Sequence, residues 1–298
     1  MTRQPEIASR PGPSRTGSLR GRLKAPGVSA LLIPGALFLA VVLLYPMLVM
    51  VWRSFTDPGI ENYTELFETG LYLRVLFKTF QVGVIITLFC LLIGYPFTYL
   101  MTRVSPKWRL VLLAAVILPF WTSWLVRTFA WMALLQDTGV INDLLTGAGI
   151  IDEPLALIRN LTGITLGMSY IMLPFMVLPL YATMGKIDWT LVKAARSLGA
   201  SPFRAFTRVY LPLSMPGVLA GSFLVFVVSL GFYVTPALLG SKQNMMVGEL
   251  IVTNFSQNLA FGQSAAMSVI LLATVVGLLW VAAKTTPIMR YLTGGNNP

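Results

Sequence analysis

Few residues in this chain could make or break bonds. Histidine is absent and Cys90 is the only cysteine, so there is no histidine acid–base pair, no His/Cys zinc site and no intrachain disulfide. Cys90 sits in the apolar run 88–92, the place of a small packing or lipid-facing residue. No complete Gly-x4-Gly-Lys-Ser/Thr loop occurs; residues 12–18 (GPSRTGS) have the glycine spacing but lack the lysine, so the chain cannot cradle ATP phosphates. What remains suits binding. Trp124 and Trp131 stand three residues before and four residues after Arg127, which puts all three on one helical face. Aromatic faces attract ammonium groups by about 0.5–2 kcal/mol each, whereas Arg127 suits a carboxylate.

The elements that carry these residues are built for lipid. Of 298 residues, 56% are hydrophobic and 11% charged, against about 45–50% and about 25% in an ordinary soluble domain. A hydrocarbon core of about 30 Å needs roughly 20 apolar residues per helix. Six runs qualify, at residues 30–51, 76–101, 110–135, 161–184, 216–239 and 264–283. The first is longer than a signal-peptide core and no small-residue cleavage pattern follows it. The expectation is an all-α membrane bundle of six helices occupying residues 30–292, with prolines 46, 96, 119, 174 and 236 as kinks. Residues 1–29, rich in Pro, Gly, Ser and Arg, read as a disordered basic tail, and 293–298 as a short C-terminal tail. In the third run Arg127 would carry a charge costing about 2.5–3.5 kcal/mol, so it should face protein or water and have a partner. Tyr233, in the fifth run beside Gly231 and Pro236, could approach the Trp124–Arg127–Trp131 face.

Orientation follows from where Lys and Arg fall. With the N-terminus inside, 16 of the 22 basic residues lie on the cytoplasmic side, and nine of the eleven acids lie opposite. Both ends are therefore expected in the cytoplasm. The net charge of +11 then reflects topology and anionic lipid headgroups, with no nucleic-acid partner needed.

The longest cytoplasmic connection, residues 185–214, reads as two short helices with a turn. Asp188 is placed to cap the first, and Leu191, Ala194, Ala195 and Leu198 form one apolar face. Gly199 suits a left-handed helix stop. Ser201 and Pro202 open the second helix, whose polar face carries Arg204 and Arg208. Pro212 is expected to end it, because proline has no N–H to donate.

Lys193-Ala194-Ala195, three residues, Gly199, nine residues, then Val209-Tyr210-Leu211-Pro212 resembles the permease signature of binding-protein-dependent ABC importers, Glu-Ala-Ala-x3-Gly-x9-Ile-x-Leu-Pro. Five of the seven defined positions are identical; Lys193 replaces the acid and Val209 replaces Ile. The stretches LPFWTSWLVRTFAW (118–131) and SLGFYVTPALLG (229–240) resemble the spermidine/putrescine permease branch. The resemblance implies a bacterial inner-membrane subunit forming half of a translocation path for a polyamine or an amino-acid-like solute. It implies that loop 185–214 inserts into an ATPase dimer, which holds the ATP and Mg, leaving no cofactor and no catalysis on this chain. A second homologous permease and a periplasmic solute-binding protein complete the implied assembly. Lys193 would change any salt bridge made by the usual Glu.

The competing class is an ion-coupled secondary transporter. Such proteins bury acids for proton or sodium coupling, and the six runs contain no Asp or Glu. Nor is there an internal repeat of interrupted helices in the two halves.

The orientation makes a direct prediction. In intact spheroplasts, cysteine introduced by Asp143→Cys or Asp152→Cys should react with an impermeant thiol reagent, and cysteine introduced by Arg204→Cys should not. The opposite labelling pattern reverses the topology.

Overall fold

The computed structural model describes residues 26–285. The basic residues before Pro26, together with Arg290 and the C-terminal tail, lie outside the described residues. The chain divides into two units, residues 1–49 and 50–298. In the first, helix α1 (Pro26–Thr56) begins inside the stretch expected to be an irregular tail, and continues through Pro34 and Pro46 into the second unit. Proline at the first helical position is preorganised for that start.

The second unit is built from helices joined by turns and loops, with no strand among its described residues. After the end of α1 come α2 (Glu61–Glu68), α3 (Leu71–Arg103), α4 (Pro106–Ile117), α5 (Trp124–Leu135) and α6 (Val140–Gly147). They are followed by α7 (Leu161–Met184), α8 (Trp189–Ser197), α9 (Pro202–Ala205), α10 (Leu211–Leu230), α11 (Val234–Leu239), α12 (Val247–Ser256) and α13 (Phe261–Thr285). Five helical stretches are long and apolar enough to cross a membrane: Ile33–Thr56, Leu71–Arg103, Leu161–Met184, Pro202–Leu230 and Phe261–Ala282.

The expected third span is not a continuous helix. It breaks at Thr122–Ser123, and the segments on either side, Pro106–Trp121 and Trp124–Gly147, are bent by 102°. A tight turn of 3-10 helix at Leu118–Trp121 precedes the break. The Thr122 N–H and hydroxyl both donate to the Pro119 carbonyl, at 3.1 and 2.8 Å, closing the turn that the proline started. Six spans are reached only if this bent pair counts as one.

The fifth span also differs from expectation. Its helix starts at Pro202, well before residue 216, and stops at Leu230. Gly231, Phe232 and Tyr233 interrupt it before the short α11. Pro212 does not end the second loop helix. A π-helical turn, Phe206–Tyr210, carries the chain into α10, with the Leu211 N–H donating to the Phe206 carbonyl. The wider turn accommodates a proline that an α-helical register would clash with.

The centre of the second unit is the mutual packing of α3, α7 and α10. Val82, Ile86 and Cys90 of α3 meet Met168, Met172, Met176 and Leu180 of α7, and Tyr210 and Val225 close the cluster. Cys90 is thus a packing residue, fully buried. Lipid tails are as apolar as these side chains, so close van der Waals approach must hold the helices together. Glycine supplies it: a Cβ on Gly221 would lie 3.0 Å from both the Met176 carbonyl oxygen and its sulfur. A second cluster joins α2, α3, α12 and α13 through Leu66, Tyr72, Val75, Val247, Leu250 and Met267, and the Tyr72 hydroxyl donates to the Met267 carbonyl at 2.9 Å.

Gly221→Val should therefore destabilise the purified subunit by about 1–3 kcal/mol through overpacking against backbone. Gly94→Ala meets only the flexible Met176 Cγ at 3.0 Å and should cost less. Thermal unfolding in detergent, with the two variants in parallel, checks the ranking.

Candidate solute path and coupling loop

The two helix breaks adjoin, because α11 packs against α5. The Thr128 and Thr235 hydroxyls, both fully buried, are 3.0 Å apart across that contact. Trp124, the first residue after one break, meets Phe232, within the other, edge-on at 5.9 Å. Trp131 lies about two turns further along α5 and meets Tyr170 of α7 at 5.7 Å. The expected face of Trp124, Arg127 and Trp131 therefore exists, but its aromatic partners are Phe232 and Tyr170. Tyr233 makes no ring contact with that face among the described residues: its backbone lies in a non-helical turn (φ −131°, ψ −39°), and its Cβ would be 3.1 Å from a Cβ on Gly248.

Arg127 stands in the first turn of α5, beside the helix break. Its Nε and Nη1 are buried and have no hydrogen-bond partner among the described residues. The expected partner is not supplied to these two atoms by the described residues. A cation at a helix N-terminus also opposes the helix dipole. The arrangement is costly by itself, and it leaves two donors without an acceptor among the described residues. Glu249, in the first turn of α12, is a half-buried carboxylate; burial raises its pKa above the ordinary carboxylate range.

The loop after α7 is built as its local residues dictate. Asp188 Oδ1 accepts from the Thr190 N–H at 2.9 Å and caps α8. Hydrogen bonds from Thr190 hold the Asp188 carboxyl below the usual carboxylate range, and the charge of Lys193 assists. Gly199 adopts φ +87°; the Ala200 N–H reaches back to the Ala195 carbonyl and the Gly199 N–H to Arg196, the double bond of a Schellman stop. Ser201 caps α9 through the Arg204 N–H at 3.3 Å, and Pro202 takes the first helical position.

Two faces of α8 are used differently. Trp189 and Val192 pack onto the α3–α7–α10 cluster. Leu191 and Ala194 are exposed, and Leu198 is 90% exposed, as is Phe203 (75%) across the Gly199 turn. Lys193, Gly199, Ser201, Pro202 and Arg204 are exposed around them, with Ala195 intermediate. Val209 lies in the π turn, and Leu211 and Pro212 open α10. The loop thus presents an apolar knob ringed by basic side chains. Thr128, Phe232 and Thr235 were missed in the sequence because residues 110–135 and 216–239 read as single spans kinked at Pro119 and Pro236, not as separate helices.

Residues 28–284 match the family described as the inner membrane component of binding-protein-dependent transport systems. The spermidine/putrescine transport system permease protein PotB of Haemophilus influenzae is 40% identical over 228 residues, covering 76% of this chain and 79% of that protein. PotB of Escherichia coli is 37% identical over 229 residues, covering 76% and 82%. Among solved structures, a chain of a bacterial alginate ABC transporter in complex with an alginate-bound periplasmic protein aligns with TM-score 0.69 at 18% identity, covering 86% of this chain and 92% of that one. The last likeness establishes the fold alone. The chain belongs to the family of inner-membrane permease components of binding-protein-dependent ABC importers. It is a multi-pass inner-membrane protein and not itself an enzyme.

An unpaired buried charge that serves function should be expendable for folding. Arg127→Met is expected to leave the melting temperature of the purified subunit unchanged or raised while solute uptake falls about tenfold or more, the effect of losing a charged hydrogen bond. A marked drop in melting temperature would make Arg127 a structural residue.

Proposed function

We propose that this chain forms one half of a polyamine translocation path, taking spermidine or putrescine from a periplasmic binding protein and driven by a separate ATPase dimer. The observation that carries the substrate is the 40% and 37% identity to two spermidine/putrescine permeases over 76% of the chain. A second, homologous permease supplies the other half of the path, with both termini of this chain in the cytoplasm. Trp124, Arg127 and Trp131 on α5, with Phe232 and Tyr233 at the α10–α11 break, line this half. The aromatic faces suit ammonium groups. Negative charge for a polycation comes from the partner permease, since this chain's spans carry none.

In this reading, loop 185–214 is the cytoplasmic coupling element. Leu191, Leu198 and Phe203 dock into an ATPase groove, with Lys193, Arg204 and Arg208 meeting acidic groups at its rim. An exposed apolar patch with a polar rim is the ordinary form of a docking surface. The ATPase holds ATP and Mg; this chain passes on the movement.

Arg127 favours a second reading, a solute bearing a carboxylate, of amino-acid-like chemistry. A ligand screen on the cognate binding protein separates the two. Polyamine binding, together with ATP-dependent uptake of radiolabelled spermidine by the reconstituted complex, supports the first; selective binding of a carboxylate-bearing solute overturns it.

The coupling role generates its own prediction. No atom lies within 4 Å of a Cβ built on Gly199, so a side chain there is opposed only by backbone conformation, at about 1–2 kcal/mol. Gly199→Val should insert normally but lose binding-protein-stimulated ATPase activity, while Gly199→Asn, which tolerates the left-handed region, should retain most of it. Normal stimulation in Gly199→Val removes the elbow from the coupling path.

A further inference from the structure

An aromatic joint at the foot of α3 is not accounted for by either the docking knob or the solute path. Three rings form a pile: Trp189 stacks on Tyr210 at 4.9 Å (21° between planes), and Tyr210 stacks on Phe206 at 5.7 Å (19°). Trp189 is the first residue of α8; Phe206 and Tyr210 bound the π turn that leads into α10. The pile therefore ties both arms of the elbow together beneath Gly199.

Against the pile stands one face of α3, Tyr95, Tyr99 and Arg103, spaced four residues apart. Tyr99 meets all three rings edge-on, at 6.1 Å to Trp189, 5.8 Å to Phe206 and 5.1 Å to Tyr210. Tyr95 meets Phe206 edge-on at 6.2 Å, and its hydroxyl lies 2.9 Å from Ser214 Oγ of α10. The Arg103 guanidinium carbon sits 3.4 Å above the Trp189 ring centre and 5.0 Å from that of Tyr99. Its Nη2 donates to the Tyr99 hydroxyl at 2.6 Å, and as a cation in the last turn of α3 it is favoured by the helix dipole.

Edge-on and stacked contacts are directional, unlike Leu or Met packing, and each adds about 0.5–1.5 kcal/mol beyond area burial. A cluster of this kind resists sliding. The exposed knob of α8 and its Trp189 face are opposite sides of one short helix, so a push on the first is delivered to the second. Coupling between distant sites requires such a physical element.

We propose that Trp189, Tyr99 and Arg103 are positioning residues that pass displacement of the coupling elbow to α3 and α10 as one body. The inference rests on the coupling role proposed above. None of the three touches solute or nucleotide; each acts through the helices it joins.

The test uses the full complex, comprising this chain, its partner permease and ATPase dimer, reconstituted in vesicles with purified binding protein and radiolabelled spermidine. The quantity read is spermidine transported per ATP hydrolysed. Trp189→Ala and Arg103→Ala should co-purify with the ATPase and hydrolyse ATP, with transport per ATP falling about 5- to 150-fold, the span of an ordinary coupling free energy. Trp189→Phe, which keeps a stacking ring, and Arg103→Lys, which keeps a cation over it, should recover most of the loss. An unchanged ratio in Trp189→Ala overturns the proposal. So does failure of Trp189→Phe and Arg103→Lys to assemble, which would make the joint a folding requirement only. If the unaltered complex shows no ATP-dependent uptake, the functional reading itself fails and this inference with it; if it transports and the variants match it, only the joint is refuted.

Discussion

A chain dissolved in hydrocarbon must satisfy its own backbone. Each N–H and C=O left open to lipid costs several kcal/mol, so irregular backbone at membrane depth survives only against protein or around water. Both interruptions here obey that rule together. The break before α5 and the break before α11 lie against one another, sealed by the Thr128–Thr235 hydroxyl pair and the Trp124–Phe232 ring contact. Thr122 spends both its donors on the Pro119 carbonyl at the first break. The places where helices stop are thus where this chain gathers polar and aromatic groups, and any solute path through it gains its chemistry there.

The remaining helices need no polar contacts to stay together, and few are used. The α3–α7–α10 centre is mainly methionine, isoleucine and valine with glycine at the closest approaches. Methionine is unbranched and polarisable, and repacks with little strain. Such a seam holds helices close without locking them into one register. The aromatic pile around Tyr99, Trp189 and Tyr210 is of opposite character, with fixed interplanar angles and a cation above it. The centre is thus softly packed, and the packing under residues 189–210 is directional.

Much of loop 185–214 was legible because its determinants are local. Asp188 and Ser201 accept hydrogen bonds from N–H groups two and three residues ahead, and Gly199 takes the left-handed conformation its lack of a Cβ permits. The apolar face of Leu191, Ala194 and Leu198 was also legible, though not that it would stay exposed while Trp189 and Val192 packed inward. Pro212 was misread: an absent N–H ends a helix only if the register cannot change, and the π turn at Phe206–Tyr210 changes it.

The sequence alone determined the all-helical membrane class, through run lengths and sparse charge, and the family, through a motif whose spacing tolerates few accidents. It did not determine which prolines break helices. Pro46, Pro96, Pro174 and Pro179 lie inside helices, while Pro119 sits at a sharp break. The residue is the same in every case; the neighbours differ. In α7, packed against α3 and α10, the helix stays continuous through its prolines, whereas beyond the break that follows Pro119 the chain packs α5 against α11. Run length and spacing are properties of the chain near a residue, but the fate of a missing hydrogen bond depends on what the folded protein brings beside it, and only the tertiary structure decides that.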